Sequence, residues 1–153
     1  MLTNTPFAIA IFILGFGFLV FVHELGHFLV ARLFGVRCTQ FAIGFGPSIL
    51  AWRRGIGIVP TGTEKTYYAR AGERAEADGV DLQSLPEHER NAKLHAAADA
   101  LGFGQTEYRL NLLPLGGYVK MVGQEDLDPD ARSSDPRAYN NKPIWQRMGI
   151  ISA

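Results

Sequence analysis

Residues His23-Glu24-Leu25-Gly26-His27 spell HExxH. On a helix, positions four apart share a face, so both imidazoles can reach one metal ion. Glu24 is one position on and turned away by roughly 100°. Its carboxylate is suited to touch a water on the metal rather than the metal. Zinc lowers the pKa of that water towards neutrality, and the glutamate takes its proton. The competing reading is a chance match on a soluble core helix. The surroundings weigh against it, because His23, Glu24 and His27 follow seventeen residues, Pro6 to Val22, without a charged or strongly polar side chain. Ionisable groups in the middle of a membrane span are costly and mark function.

The element that must carry this group is a helix. From Phe7 to Ala31 the chain runs 25 residues with Glu24 as its one charge. At about 1.5 Å per residue the helix would reach roughly 37 Å, enough to cross a hydrocarbon core. A cleaved signal peptide would need a basic start and a small-residue cleavage site. The chain instead begins Met-Leu-Thr-Asn-Thr-Pro, and no Ala-x-Ala stands at the end of the apolar stretch. A transmembrane helix over residues 1–31 is therefore expected. Arg32, Arg37, Arg53 and Arg54 follow it and no Lys or Arg precedes it, which places the N-terminus outside and residues 32–147 in the cytoplasm.

The 153 residues hold 15 basic and 15 acidic side chains, and the zero net charge argues against a nucleic-acid partner. One cysteine, Cys38, excludes an internal disulfide framework. All 15 basic and 14 of the 15 acidic residues lie at or beyond Arg32, so an apolar segment precedes a polar one.

Within the polar part, residues 32–55 read as two short strands around Gly44-Phe45-Gly46-Pro47, with Phe41, Ile43 and Phe45 alternating. Residues 104–123 read as a second pair around Gly116-Gly117, a hairpin-type signal ahead of Tyr118-Val119-Lys120-Met121. On spacing, a plain hairpin is the simpler reading. A glycine-bounded edge strand that accepts an added peptide is the other. Residues 56–103 form a charged insertion with one expected helix, started by a capping box Ser84-x-x-Glu87 and ended at Gly102. His88 and His95 on that helix read as solvated. The acidic stretch Glu125 to Asp135, within residues 124–147, reads as a solvated loop. Lys142-Pro143-Ile144-Trp145-Gln146-Arg147 places an aromatic and cations before an apolar end, so residues 148–153 read as the start of a second, cut-short span. Catalytic zinc takes three protein ligands, and a convincing third is expected beyond Ala153.

Four segments together resemble the N-terminal part of the bacterial site-2 proteases, the RseP-like intramembrane zinc metalloproteases. They are Phe21–Phe28, Phe41–Pro47, Pro114–Met121 and Asn141–Arg147, in the family's order. The resemblance implies a membrane α-helical fold with a small β-sheet. In it the HExxH-bearing transmembrane helix is followed by a membrane re-entrant β-hairpin sheet and a cytoplasmic loop insertion. It implies Zn2+ on His23 and His27 with Glu24 as general base. It implies that Gly44, Phe45, Gly46, Gly116, Gly117, Tyr118, Val119, Lys120 and Met121 hold an unwound substrate as an extended strand. Substrates would be single-span membrane proteins such as anti-sigma factors or signal-peptide remnants, cut in a multi-pass protein of the bacterial inner membrane. The insertion is longer than the family's short hairpin. The remaining second span, any PDZ domain and the helix with the aspartate ligand are expected beyond this chain, which alone would be inactive. An inactive scaffold of the same family that holds client peptides is the alternative. A signal-anchored cytoplasmic domain with an accidental HExxH leaves Gly44–Pro47 and Gly116–Met121 without explanation.

Overall fold

The computed structural model describes residues 4–124 and 135–153. The order is helix α1 (Thr5–Leu33), strands β1 (Cys38–Arg53) and β2 (Gly57–Val59), helices α2 (Glu64–Ala77) and α3 (Glu87–Ala100), strand β3 (Glu107–Met121), a 3-10 turn (Tyr139–Asn141) and helix α4 (Ile144–Ser152). Pro6 sits in the first turn of α1, where its fixed φ suits a helix and its missing N–H costs nothing. Gly35 ends α1 with φ +69°, and Gly35 N–H and Val36 N–H return to the carbonyls of Arg32 and Ala31. The same arrangement closes α2 at Gly79 and α3 at Gly102. The apolar window of α1 has a mean hydropathy of 2.4 with none of it buried, and it is one helix long and apolar enough to cross a membrane.

The sheet has the order β2-β1-β3, with β3 at one edge. β1 and β3 are long and bent, and they interleave. Cys38–Ile43 runs antiparallel to Gly117–Met121, with Phe41 opposite Val119. On its other side Gln40–Ile43 lies along Glu107–Leu110, both numbers rising together. The second half of β1 pairs antiparallel with the same first half of β3, Trp52 opposite Tyr108. The two arms of β3 therefore straddle the first half of β1. This corrects the expected tight hairpin at Gly116-Gly117 and the two separate strand pairs. The reason lies at the crossing, where residues between Asn111 and Gly116 pass over the bend of β1. A β-carbon on Gly44 would stand 2.4 Å from the Leu113 carbonyl oxygen, so only a glycine lets the chains cross.

α1 lies against this sheet. Phe28 and Ala31 are buried with Val36, Cys38, Phe41, Val119, Met121 and Ile150. The Phe28 and Phe41 rings are 5.2 Å apart, and each such buried ring contributes about 1.5–3 kcal/mol. The crossing reaches far up the helix: a β-carbon on Gly17 would lie 3.6 Å from the Pro114 carbonyl oxygen. Around it Phe45, Leu112, Leu113 and Leu115 are each about half exposed, so the tip of the sheet is apolar.

The insertion holds two helices where one was expected. α2 and α3 meet through Tyr67, Ala71, Ala75, Ala97 and Ala98. α3 is read from its Ser84-x-x-Glu87 start, whereas α2 follows Thr63, which makes no side-chain cap bond, so nothing marks its start. The expected capping box does not form. Pro86 is the N-cap of α3, and Ser84 Oγ donates to the Asp81 carbonyl instead. Within the acidic stretch, Asp135 is buried, contrary to a solvated loop; residues 125–134 lie outside the described residues.

Candidate metal centre and the strand beside it

His23 and His27 come together one turn apart on α1, with their Nε2 atoms 3.1 Å apart. Two nitrogens bound at 2.0–2.1 Å to one tetrahedral ion stand about 3.3 Å apart, so the spacing of the pair suits a single zinc. The other nitrogen of His27, Nδ1, is 2.6 Å from the Ile150 carbonyl oxygen. A carbonyl only accepts, so Nδ1 carries the hydrogen and Nε2 keeps its lone pair for a metal. This is the usual support for a metal-binding histidine. Among the described residues, no group of three or more His, Cys, Asp or Glu converges, so the pair stands without a third ligand there.

Ile150 was not singled out in the sequence, and a residue that acts through its backbone leaves no side-chain signal there. It is carried by α4, whose approach to α1 rests on small residues. A β-carbon on Gly26 would come within 3.1 Å of the Ala153 carbonyl oxygen, and one on Gly149 within 3.0 Å of the Phe34 ring. Phe34 and Trp145 make an edge contact at 5.4 Å that fixes the start of α4.

Glu24 faces the sheet. A β-carbon on Gly117 would meet its Cγ at 3.0 Å and the Ala42 carbonyl oxygen at 2.8 Å. Bare backbone at Gly117 is what lets the carboxylate lie against β3. Glu24 and His27 share a cavity of about 430 Å³ with Gly117, Tyr118, Val119, Met121 and Ile150. The remaining residues assigned to substrate sit elsewhere. Gly44, Phe45 and Gly46 form the bend of β1, away from this cavity. The Phe45 ring stacks on Tyr118 at 6.3 Å and fills the space where a Gly116 side chain would be. Lys120 lines a different cavity, of about 580 Å³, with Tyr68 and His95.

Opposite α1, the inserted helices are fastened to the sheet by buried polar groups. Arg37 donates to both carboxylate oxygens of Asp99 (2.8 and 3.0 Å) and to the Tyr67 hydroxyl (3.1 Å). Its own N–H donates to the Arg137 carbonyl, and its carbonyl accepts from Val122 N–H. Burial works against the Asp99 charge, but the bonds and charges of Arg37 and Arg137 outweigh it and keep its pKa below the ordinary value. Glu107 is fully buried and accepts from Gln40, Arg109 and both the N–H and hydroxyl of Thr63. Those bonds overcome burial and hold it ionised. His95 is buried rather than solvated as expected, 2.9 Å from the Tyr67 hydroxyl. Burial, then the charge of Arg37, push its pKa down to about 4. His88 is exposed as expected.

Known proteins match most of this chain in sequence. The model of peptidase family M50 matches residues 11–76. The regulator of sigma-E protease RseP of Escherichia coli K12 is 35% identical over 147 residues, 95% of this chain and 21% of the relative. That of Salmonella typhimurium 14028s is 35% identical over 145 residues, 95% and 21%. Protease RseP of Yersinia pestis is 34% identical over 148 residues, 95% and 22%. The chain spans about a quarter or less of the length of such relatives, between 21% and 27%. The chain belongs to peptidase family M50, among its RseP-like site-2 proteases.

Proposed function

We propose that the natural polypeptide carrying this chain is a zinc-dependent endopeptidase that cuts single-span membrane proteins in or near their spans. The observation that carries this is the close pair of imidazole nitrogens of His23 and His27, beside a carboxylate, Glu24, that rests on the backbone of β3. His23 and His27 would hold the zinc. When bound, the ion supplies Lewis-acid activation of water and of the scissile carbonyl. Glu24 accepts the proton of the attacking water and returns it to the leaving amine. The Ile150 carbonyl keeps His27 in the tautomer that leaves Nε2 free.

A helical peptide bond is protected by its own hydrogen bonds and must be unwound before attack. β3 is an edge strand, and its Gly117–Met121 segment can pair an extended peptide beside Glu24. Gly44, Phe45, Gly46 and Gly116 would shape the end of that edge, and Tyr118, Val119, Lys120 and Met121 would contact the peptide. The half-exposed apolar tip at Phe45, Leu112, Leu113 and Leu115, level with Gly17 of α1, favours a sheet that dips into the bilayer. The arginines after α1 favour an outside N-terminus, with residues 32–147 on the cytoplasmic side of a bacterial inner membrane.

The test is cleavage of a tagged single-span substrate in membranes by the natural polypeptide and by its Glu24→Gln variant. The proposal expects a product within the span from the parent alone, lost with a zinc chelator. Zinc bound by a parent that cuts none of several shortened substrates would favour the client-holding scaffold.

A further inference from the structure

We propose that Gln124 ends the free edge of β3, so that an added peptide forms main-chain hydrogen bonds only at Gly117 and Val119, beside Glu24. The inference rests on the strand-addition reading of Gly117–Met121 and fixes the register of the peptide on that edge.

Along a strand, successive residues turn their N–H and C=O groups to opposite sides. Val122 N–H donates to the Arg37 carbonyl at 3.0 Å, and the Lys120 carbonyl accepts from Thr39 Oγ1 at 3.3 Å. Lys120 and Val122 therefore face β1. The irregularity in this pairing lies in β1, which advances from Cys38 to Gln40 while β3 moves one residue, from Met121 to Lys120. The alternation along β3 is thus unbroken, and Gly117, Val119 and Met121 turn their main-chain groups outward. β3 has no further strand on that side.

Of these three, Met121 is already engaged. Its N–H donates to Gln124 Oε1 at 3.3 Å, and its carbonyl accepts from Gln124 N–H at 3.3 Å. Gln124 thereby supplies both the acceptor and the donor that a residue of a paired strand would supply. The turn that brings it back passes through Gly123, with φ +78°. Gln124 also lines the cavity of Glu24, His27 and Gly117, so this stop belongs to the site. At the other end the chain bends at Gly116, with φ +103°, and the Phe45 ring fills the place of a Gly116 side chain. Gly117 and Val119 remain between the two stops, with two donors and two acceptors for a peptide.

This window sets the cut. Residues directly opposite each other in a sheet point to the same face. Val119 and Met121 are buried towards α1, so the peptide residues opposite Gly117 and Val119 point to the face that holds Glu24. A β-carbon on Gly117 would lie 3.0 Å from Glu24 Cγ, which puts the peptide residue opposite Gly117 next to the base. From there the peptide follows the edge for about two residues, roughly 7 Å, before Gln124 turns it away.

The test uses the natural polypeptide as its Glu24→Gln variant in detergent, so that binding is read without cleavage. Short labelled peptides are tiled over a single-span substrate, and anisotropy selects the tightest. That peptide is then remade with one backbone amide N-methylated at a time. A methyl group removes a donor where the amide faces the edge and points away from it at alternate residues. Affinity is expected to fall roughly fivefold to tenfold at two positions, two residues apart, and to hold elsewhere. Gln124→Pro removes both the side-chain oxygen and the N–H that engage Met121, and a third sensitive position two residues further on is expected. Gln124→Glu keeps both groups and should leave two. Gln124 is exposed, and an unchanged unfolding curve shows that the fold is kept. Three sensitive positions in the parent overturn the inference, and that scan decides the matter alone should the proline variant unfold. Two positions in a folded proline variant also overturn it. No binding, or binding without alternate sensitive positions, overturns strand addition and this inference with it. The expected pattern in a parent that cleaves nothing would overturn the protease reading and leave this one standing.

Discussion

The two faces of the sheet solve the problem of polar groups in opposite ways. Beneath the insertion, Arg53, Gln40, Thr63 and Glu107 are buried and tied to one another, and Arg37 is buried and tied to Asp99 and Tyr67, so the charges there are spent on structure. Beside α1, few polar groups are present and they are left able to act. His23 and His27 turn nitrogens towards one point, and Glu24 rests on a glycine rather than on a cation. Ionisable side chains are therefore no guide to chemistry in this molecule until their partners are known. Asp99 and Glu107 carry as much charge as Glu24, but their oxygens are occupied.

Substitutions should separate the faces by size and kind of effect. The largest belongs to Glu24→Gln, expected to lower cleavage of a single-span substrate by about 10³-fold while zinc content holds, since it removes only the base. Gly117→Val follows. Its side chain would push against the Ala42 carbonyl and Glu24 and shift the edge strand, and a misplacement of that order costs about 10²-fold in rate. Zinc measured in the purified variant should be unchanged, which distinguishes a displaced strand from a lost metal site. On the other face Arg37→Ala should act on stability. It leaves Tyr67 and the part-exposed Asp99 without their main donor, a loss of about 3 kcal/mol readable as a lower unfolding midpoint.

A pH effect on that same face reaches a similar size only at its acid end and is smaller above it. The folded protein keeps His95 neutral down to about pH 4, whereas the unfolded chain protonates it near 6.5. The unfolded state thus binds more protons between these values, and stability falls as pH drops from 6.5 to 4, by up to about 3 kcal/mol. Asp99, whose pKa is lowered from 3.8, loses its contribution only below that window. Unfolding curves of parent and His95→Gln across this range should diverge, the variant being less sensitive to acid. His88→Ala, at an exposed position seven residues earlier, should change stability by no more than about 0.5 kcal/mol at any of these pH values.

The same contrast explains what was legible in the sequence. His23, Glu24 and His27 stand out because they interrupt an apolar run, and the span itself follows from length and hydropathy. The glycines at 44, 116 and 117 marked the bends, but not the route of the chain between them. A sequence carries no sign that Gln40–Ile43 lies between two arms of β3, because that depends on pairing across more than sixty positions. His88 and His95 look alike on a polar helix. Only the packing of α3 on Tyr67 makes one of them buried and basic chemistry costly there. Ile150 acts through a carbonyl, which every residue has, so its part beside His27 needed the position of α4.

The account turns on β3 presenting an extended peptide to Glu24, and cysteine cross-linking tests this most directly. The natural polypeptide carrying Glu24→Gln and Tyr118→Cys would be paired in membranes with a substrate bearing one cysteine at each successive position around its cut site. Cys38 stays silent in this assay, since it is 2% exposed and burial pushes its thiol pKa up to about 11. Cross-links recurring at every second substrate residue are predicted, the signature of a strand paired on the edge. Cross-links recurring every three to four residues, or none near the cut site, would contradict it.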